Sequence, residues 1–116
     1  MSRDYDRSVA YDEELADRVR AQLDAEPGLT ERKMFGGIGW MLEGNMAVGL
    51  IGTGLLVRLG PDADAALSEP HASAPMMGSR QMKGFVVVAP EGVETEEQLA
   101  AWVARGSDVA RSLPPK

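Results

Sequence analysis

The sequence predicts a two-layer α+β domain, in which helices pack on an antiparallel sheet of about five strands in the order α-β-β-β-α-β-β-α. Two observations support this fold class. Apolar residues recur at helical spacing near both ends of the chain, and the region between them is apolar sequence interrupted by glycine-containing turns. Because these turns are too short for crossover connections, neighbouring strands are expected to run antiparallel.

The length of the chain, 116 residues, is that of one domain. We predict a flexible polar leader over residues 1–10 and a single domain over residues 11–116. The chain has no cysteine, which excludes disulfides and thiolate chemistry. It shows neither an apolar run of membrane-spanning length nor the apolar stretch of a signal peptide. We therefore expect a cytoplasmic location.

The first helix is predicted to begin near Asp12, a residue type that caps helix N-termini well. Apolar residues then recur every four positions and form one stripe, at Tyr11, Leu15, Val19 and Leu23. The dipeptide at residues 27–28, Pro-Gly, ends the helix.

Three strands are predicted next. The first runs over Arg32–Leu42 with a kink at Gly36–Gly37, because adjacent glycines are typical of a bulge or sharp bend. The second runs over Met46–Ile51 and the third over Leu55–Leu59, after turns at residues 43–45 and 52–54.

A short helix with Pro61 in its first turn is expected to direct Leu67 inward. Residues 71–81 resemble a loop, with a short edge strand around Met76–Met77. The uninterrupted apolar segment Gly84–Val88 is typical of a strand buried on both faces.

The last helix has the strongest local signals. Thr95 and Gln98 have the spacing of a capping box. One apolar face follows and includes Trp102 and Gly106. A glycine inside a helix costs about 1 kcal/mol relative to alanine, so Gly106 predicts close approach by a neighbouring element.

Sites for catalysis, metals and cofactors are not indicated. His71 is the only histidine, which excludes any site that needs two imidazoles. Each of the segments Gly37-Ile38-Gly39 and Gly52-Thr53-Gly54 lacks the third glycine of a dinucleotide fingerprint and precedes strand sequence. We therefore predict no catalytic residue, no metal ligand and no cofactor.

Charge and methionine content point to the class of partner. The net charge of −6 is shared equally between the two halves, which argues against a chain that holds nucleic acid alone. The basic residues nearest the sheet leave two interpretations open, an anion-binding face or separate solvated cations. They are Arg32, Lys33, Arg58, Arg80 and Lys83. Methionines cluster around the strands, and such adaptable side chains are common at partner surfaces.

Several separated motifs together resemble the N-terminal domain of the TfoX (Sxy) family. They are Arg32–Gly39, Gly44–Met46, Met82–Phe85 and the closing helix with Ala101-Trp102. The resemblance implies a two-layer α+β domain in which dimerisation is common. It also implies competence regulation, because well-known members assist the cyclic-AMP receptor protein as coactivators without a recognised enzymatic site. Those regulators carry a second domain, and we expect a stand-alone N-terminal domain here.

The resulting hypothesis is a non-enzymatic, homodimeric interaction domain with a role in transcriptional or competence regulation through a protein partner. The candidate interaction residues are Arg32, Lys33, Met34, Phe35, Met82, Lys83 and Phe85. The candidate structural residues are Gly36, Gly37, Gly39, Gly44, Gly84, Gly106 and Trp102. Two alternatives remain open: direct nucleic-acid binding by a basic strand face, and a small-molecule-binding or enzymatic domain that uses the glycine-rich hairpins.

Overall fold

Helices cover one face of a six-stranded antiparallel sheet in the computed structural model, which describes residues 11–34 and 36–116. The predicted leader over residues 1–10 and Phe35 lie outside the described residues. The α+β fold with an antiparallel sheet is confirmed. The helices are α1 (Glu13–Leu23), α2 (Ala63–Ala66) and α3 (Glu96–Ser112). The strands are β1 (Leu29–Met34), β2 (Gly37–Leu42), β3 (Asn45–Ile51), β4 (Gly54–Arg58), β5 (Ala72–Ser73), β6 (Met76–Met77), β7 (Arg80–Gln81) and β8 (Phe85–Val88).

The order of the strands in the main sheet is β1-β2-β3-β4-β8-β5, and β6 and β7 form a separate hairpin. The main sheet thus has one strand more than expected, because the predicted first strand is two strands, while β5 takes the place of the edge strand expected around Met76–Met77. β1 and β2 pair antiparallel, with Met34 opposite Gly37. The predicted kink at Gly36–Gly37 is therefore wrong. Gly36 has a φ of 75°, a left-handed conformation that lets the chain reverse direction where we expected it only to bend.

Both long helices begin as the sequence predicts. The Asp12 carboxylate accepts hydrogen bonds from the backbone N–H groups of Glu14 and Leu15. Thr95 and Gln98 form the complete capping box at the start of α3. The two caps satisfy N–H groups that have no partner within the helix.

One hydrophobic core lies between the helices and the covered face of the sheet. Trp40 is fully buried there, and Trp102 of α3 packs in the same cluster. Gly106 lies against β3: a Cβ built on it would contact the carbonyl oxygen of Ala47 and would lie 2.9 Å from Val48 Cγ1. The predicted close approach at Gly106 is confirmed.

Strand β8 is buried on one face only. Val86 and Val88 belong to the core, whereas Phe85 and Val87 are half-buried on the opposite side of the sheet. The prediction that Gly84–Val88 is buried on both faces is therefore wrong. On one side of β8 the apolar residues pack against the helices. On the other side they form part of a second apolar surface.

Ion pairs hold the helices and the sheet ends together. Glu31 accepts hydrogen bonds from Arg20 and from the indole N–H of the buried Trp40, at 2.7 and 2.8 Å. The Arg20 guanidinium is the main cause that lowers the pKa of Glu31. Arg20 also pairs with Asp17 within α1, and further close pairs join Arg18 to Glu96, Arg105 to Glu69 and Arg111 to Glu26. No helix within the described ranges has the length and apolar character needed to cross a membrane.

Candidate functional site: the open face of the sheet

The face of the sheet opposite α1 and α3 is the largest candidate site. Cross-strand partners in an antiparallel sheet lie on the same face, so the register assigns each residue to a side. We call this second surface the open face. Its strand positions are Thr30, Arg32, Met34, Gly37, Gly39, Met41, Met46, Gly49, Ile51, Gly54, Leu56, Arg58, Ser73, Phe85 and Val87.

Glycines form the floor of the open face. Gly39 and Gly49 are direct partners across β2 and β3. A Cβ built on Gly39 would lie 2.9 Å from the methyl carbon of Met46, 3.4 Å from that of Met41 and 3.7 Å from that of Met34. Three thioether methyl groups therefore converge above a position that has no side chain.

Methionines and aliphatic residues line a cavity of about 230 Å³ on this side of the sheet, which we call the methionine groove. Its lining residues are Met34, Met46, Ile51, Leu56, Met76 and Met82, with Ile38 and Leu50, whose side chains belong to the core, in the strands beneath. Ile51 and Met76 are 43% and 54% exposed, and together with the cavity beside them they form a contiguous apolar surface. A second cavity of about 350 Å³ shares Ile51 and Met76, so the apolar surface continues toward β5 and β8.

The hairpin of β6 and β7 supplies part of the groove. It brings Met76 and Met82 to the sheet, and the backbone N–H of Met82 donates to the carbonyl of Pro75 at 2.9 Å. The short strand expected around Met76–Met77 is confirmed, although it pairs with Arg80–Gln81 and not with the main sheet.

Arg58 is a half-buried cation on the open face. It lies opposite Phe85, and its guanidinium carbon is 5.2 Å from the centre of the Phe85 ring, within the range of a cation–π contact. The buried Nε of Arg58 has no hydrogen-bond partner among the described residues. Burial lowers the pKa of Arg58 below its ordinary value. An arginine remains charged at neutral pH, so this N–H is a donor without an acceptor.

The register separates two of the predicted interaction residues. Arg32 lies opposite Gly39 on the open face, whereas Lys33 lies opposite the core residue Ile38 on the helix side. Lys33 also contributes to the low pKa of Glu31, which is on that side. Arg32 and Lys33 therefore do not form one patch.

Most of the remaining predicted interaction residues lie near the open face. Met34, Met82 and Phe85 lie on or beside the open face, and Lys83 is exposed next to Met82. Phe35 lies outside the described residues, so its predicted role is not located. The sequence analysis missed Met46 and Leu56 as parts of a site. The alternation of side chains between the two faces of β3 and β4 would have placed them on the open face, but only once the face covered by the helices was known.

Other chemistry has little support in the described part of the chain. No group of three or more His, Cys, Asp or Glu side chains that could hold a metal ion occurs in residues 11–34 and 36–116. His71 is exposed and has a φ of 70°, as expected of a residue in a turn.

Comparison with known proteins identifies the family. The family model described as the TfoX N-terminal domain matches residues 21–110. Searches of curated proteins and of solved structures found no match. The family match includes β1 to β8 and most of α3, and thus every strand position of the open face. The chain belongs to the TfoX N-terminal domain family.

Proposed function

We propose that this chain is a non-enzymatic protein-interaction domain whose binding surface is the open face. The observation that carries the proposal is the methionine groove, with exposed Ile51 and Met76 at its border. Contiguous exposed apolar surface is uncommon on monomers and marks interaction sites, and methionine adapts its shape to different partners.

Membership of the TfoX N-terminal domain family supports a regulatory role for this interaction. We propose that the partner belongs to the transcription machinery, and that competence is a process in which the domain acts. No catalytic residue is part of the proposal, because binding alone is what the apolar surface supports.

Photo-cross-linking in the native cell tests the interaction surface. A photoreactive amino acid is placed at Ile51 on the open face or, as a matched control, at the exposed Ala101 on α3. We expect Ile51 to give a discrete cross-linked protein that an excess of the unmodified chain competes away. Equal products from both positions, or no product from Ile51, would contradict the proposal.

Binding of a small apolar molecule is a second candidate function, because the methionine groove on the open face has a volume of about 230 Å³ and a mainly apolar lining. Native mass spectrometry of the chain purified from its own cell tests this candidate. A bound small molecule that is lost on Leu56→Arg substitution supports it, and an unliganded mass removes it.

Direct nucleic-acid binding receives less support, because the register places Arg32 and Lys33 on opposite sides of the sheet. Two cations on different faces cannot neutralise the phosphates of one strand together. A DNA and RNA binding assay at low salt is the appropriate test, and tight, steeply salt-dependent binding would favour this alternative.

We also propose the homodimer that the resemblance implies. β1 is an edge strand, and within the described ranges its outer side has no strand partner, so a second copy could extend the sheet there. Light scattering is expected to give twice the 12.4 kDa mass of one chain. A mass of one chain at all concentrations would remove the dimer.

A further inference from the structure

We propose that the open face receives an acidic amphipathic helix of another protein, with apolar side chains in the methionine groove and carboxylates at Arg58 and Arg32. This inference rests on the proposed function and names the chemistry of the partner. It follows from three features of the open face: its charge, its spacing and its lack of free backbone groups.

Charge is the first feature. The only charged side chains at the strand positions of the open face are Arg32 and Arg58, and no carboxylate occupies any of these positions. None of the carboxylates in residues 11–34 and 36–116 lies within 4.0 Å of either guanidinium. The chain as a whole carries −6, so the open face is a cationic apolar surface on an acidic protein. Such a surface attracts acidic partners to one side of the molecule.

Arg58 gives this charge a specific position. Its Nε is buried without an acceptor, and Phe85 supports the guanidinium from one side. The buried Nε itself is not accessible to a partner, but the half-buried guanidinium reaches the surface, where a carboxylate can accept a charge-assisted hydrogen bond from it. A partner carboxylate next to the groove is therefore expected at Arg58.

Spacing is the second feature. Arg32 is on β1, and Arg58 is on β4, three strand spacings away and two residues beyond the position in register with Arg32, which makes about 16 Å between them. Gly39 and Gly49 lie between them as the floor. An α-helix covers this distance in about three turns of about 5.4 Å each. A helix that crosses the strands can thus place one carboxylate at each arginine and apolar side chains between them.

The lack of free backbone groups is the third feature, and it excludes a partner segment in extended conformation on the floor of the open face. β2, β3 and β4 each pair with a strand on both sides, so their backbone groups are already hydrogen-bonded. A peptide that lies over them must satisfy its own N–H and C=O groups, and a helix does so internally.

A second copy of this chain fits the open face poorly. Two open faces related by a twofold axis would bring the four arginines of the two copies to one interface without a carboxylate at the strand positions. The three helices of a second copy carry seven carboxylates and four arginines, but contact between that side and the open face would be head-to-tail, which does not close into a dimer. The homodimer proposed above therefore uses β1 and leaves the open face available.

Two designed peptides test the inference with the full-length chain. Both are 18-residue amphipathic helices with the same leucine face; one carries glutamates beside that face and the other carries lysines. Fluorescence anisotropy is expected to show about tenfold tighter binding of the glutamate peptide, and the difference should shrink as salt is added. Equal affinities, or binding of neither peptide, would overturn the inference.

Substitutions locate the charge contacts. Arg58→Gln is expected to weaken the glutamate peptide about tenfold and Arg32→Gln about threefold, since Arg32 is more exposed. Lys33→Gln removes the adjacent cation from the helix side and should leave the affinity unchanged. Arg58→Lys keeps the charge and should recover part of the affinity, which separates a lost contact from a folding defect. An equal loss with Lys33→Gln would contradict the site.

Methyl NMR of methionine-labelled chain supplies a second readout. The glutamate peptide should shift the methyl signals of Met34, Met46 and Met82. Binding without these shifts would place the peptide elsewhere and overturn the inference.

If the cross-link from Ile51 is found but the peptides show no charge preference, the proposed interaction function is supported and the proposed acidic helical partner is wrong. If Ile51 gives no cross-link, the proposed function itself has failed.

Discussion

Gly39 lies directly beneath the thioether of Met46, and a Cβ built on Gly39 would come within 2.9 Å of the Met46 methyl carbon. A Cβ built on its cross-strand partner Gly49 would lie 2.5 Å from the same methyl carbon and 2.8 Å from the backbone carbonyl oxygen of Ile38. The two glycines thus leave the space in which the methionines of the open face lie. The neighbours of the two glycines differ, however. Gly39 faces the ends of flexible methionine side chains, whereas Gly49 also faces rigid backbone.

We predict that Gly39→Ala and Gly49→Ala have different costs. The added methyl of Gly39→Ala meets only the ends of methionine side chains, which can move, so the free energy of unfolding should change by less than about 1 kcal/mol. Gly49→Ala meets the Ile38 carbonyl and should cost about 1–3 kcal/mol. Urea denaturation measures both. Equal costs would show that the methionines are not free to move.

A second prediction concerns Gly106 in α3. Alanine is the better helix former by about 1 kcal/mol, yet Gly106→Ala should destabilise the protein by about 1–3 kcal/mol, because its methyl would contact the Ala47 carbonyl. Chemical denaturation measures the change. As the control, Ala104→Gly on the exposed side of α3 should cost only the propensity difference. A stabilised Gly106→Ala variant would mean that α3 and β3 are further apart than described.

A third prediction concerns the pH dependence that arises from Glu31. Arg20 lowers the pKa of Glu31 in the folded state, so its ion pair contributes stability above the ordinary glutamate value of about 4.3. This stabilisation is lost progressively as the pH falls from the ordinary glutamate pKa to the lowered pKa of Glu31 in the folded state, where Glu31 becomes protonated. Glu31→Gln should cost about 0.2–1 kcal/mol at pH 7, since the pair is partly exposed, and the difference from wild type should shrink toward pH 3. Denaturation midpoints at several pH values test this. A pH-independent difference would contradict it.

Glu31→Ala should have a larger effect than Glu31→Gln. The glutamine oxygen can still accept from the Trp40 indole, whereas alanine leaves that buried N–H without a partner. An unpaired buried donor costs about 1–3 kcal/mol. Denaturation followed by tryptophan fluorescence measures the two variants together, and equal effects would indicate that the Trp40 hydrogen bond contributes nothing.

A fourth prediction concerns the turn between β2 and β3. Glu43 and Gly44 both have positive φ, 53° and 84°, which is the pattern of a type I′ turn. Asparagine adopts this conformation more readily than glutamate, so Glu43→Asn should stabilise the protein by about 0.5 kcal/mol. The loss of the 3.9 Å contact with Arg111 should offset little of this gain. Thermal unfolding measures the change, and Glu43→Gln, which loses the charge without favouring the turn, is the control.

Local patterns were sufficient for several elements. Asp12 and the pair of Thr95 and Gln98 mark the starts of α1 and α3, because capping depends on side chains within one turn. Gly106 also predicts its own close contact, since a glycine in a helix interior needs a compensating reason. These inferences need no knowledge of which strands are neighbours.

The candidate site could not be predicted without knowing which strands are neighbours. Arg32 and Lys33 are adjacent in sequence, and only their pairing with Gly39 and Ile38 shows that they face opposite sides. The apolar run at Gly84–Val88 likewise does not reveal that only one side of β8 is covered by helices. Burial of a strand face depends on what packs above it, which is not a local property.

The sequence by itself determined the two-layer class, the capped helices and the family, because these follow from short-range patterns and ordered motifs. The tertiary structure decided that the segment at Gly36–Gly37 is a chain reversal, and that Arg32, Arg58 and the methionines share one uncovered face. The physical reason is the two-residue period of a strand. A side chain's face is set by register against its neighbours, and register is established only when the strands pair.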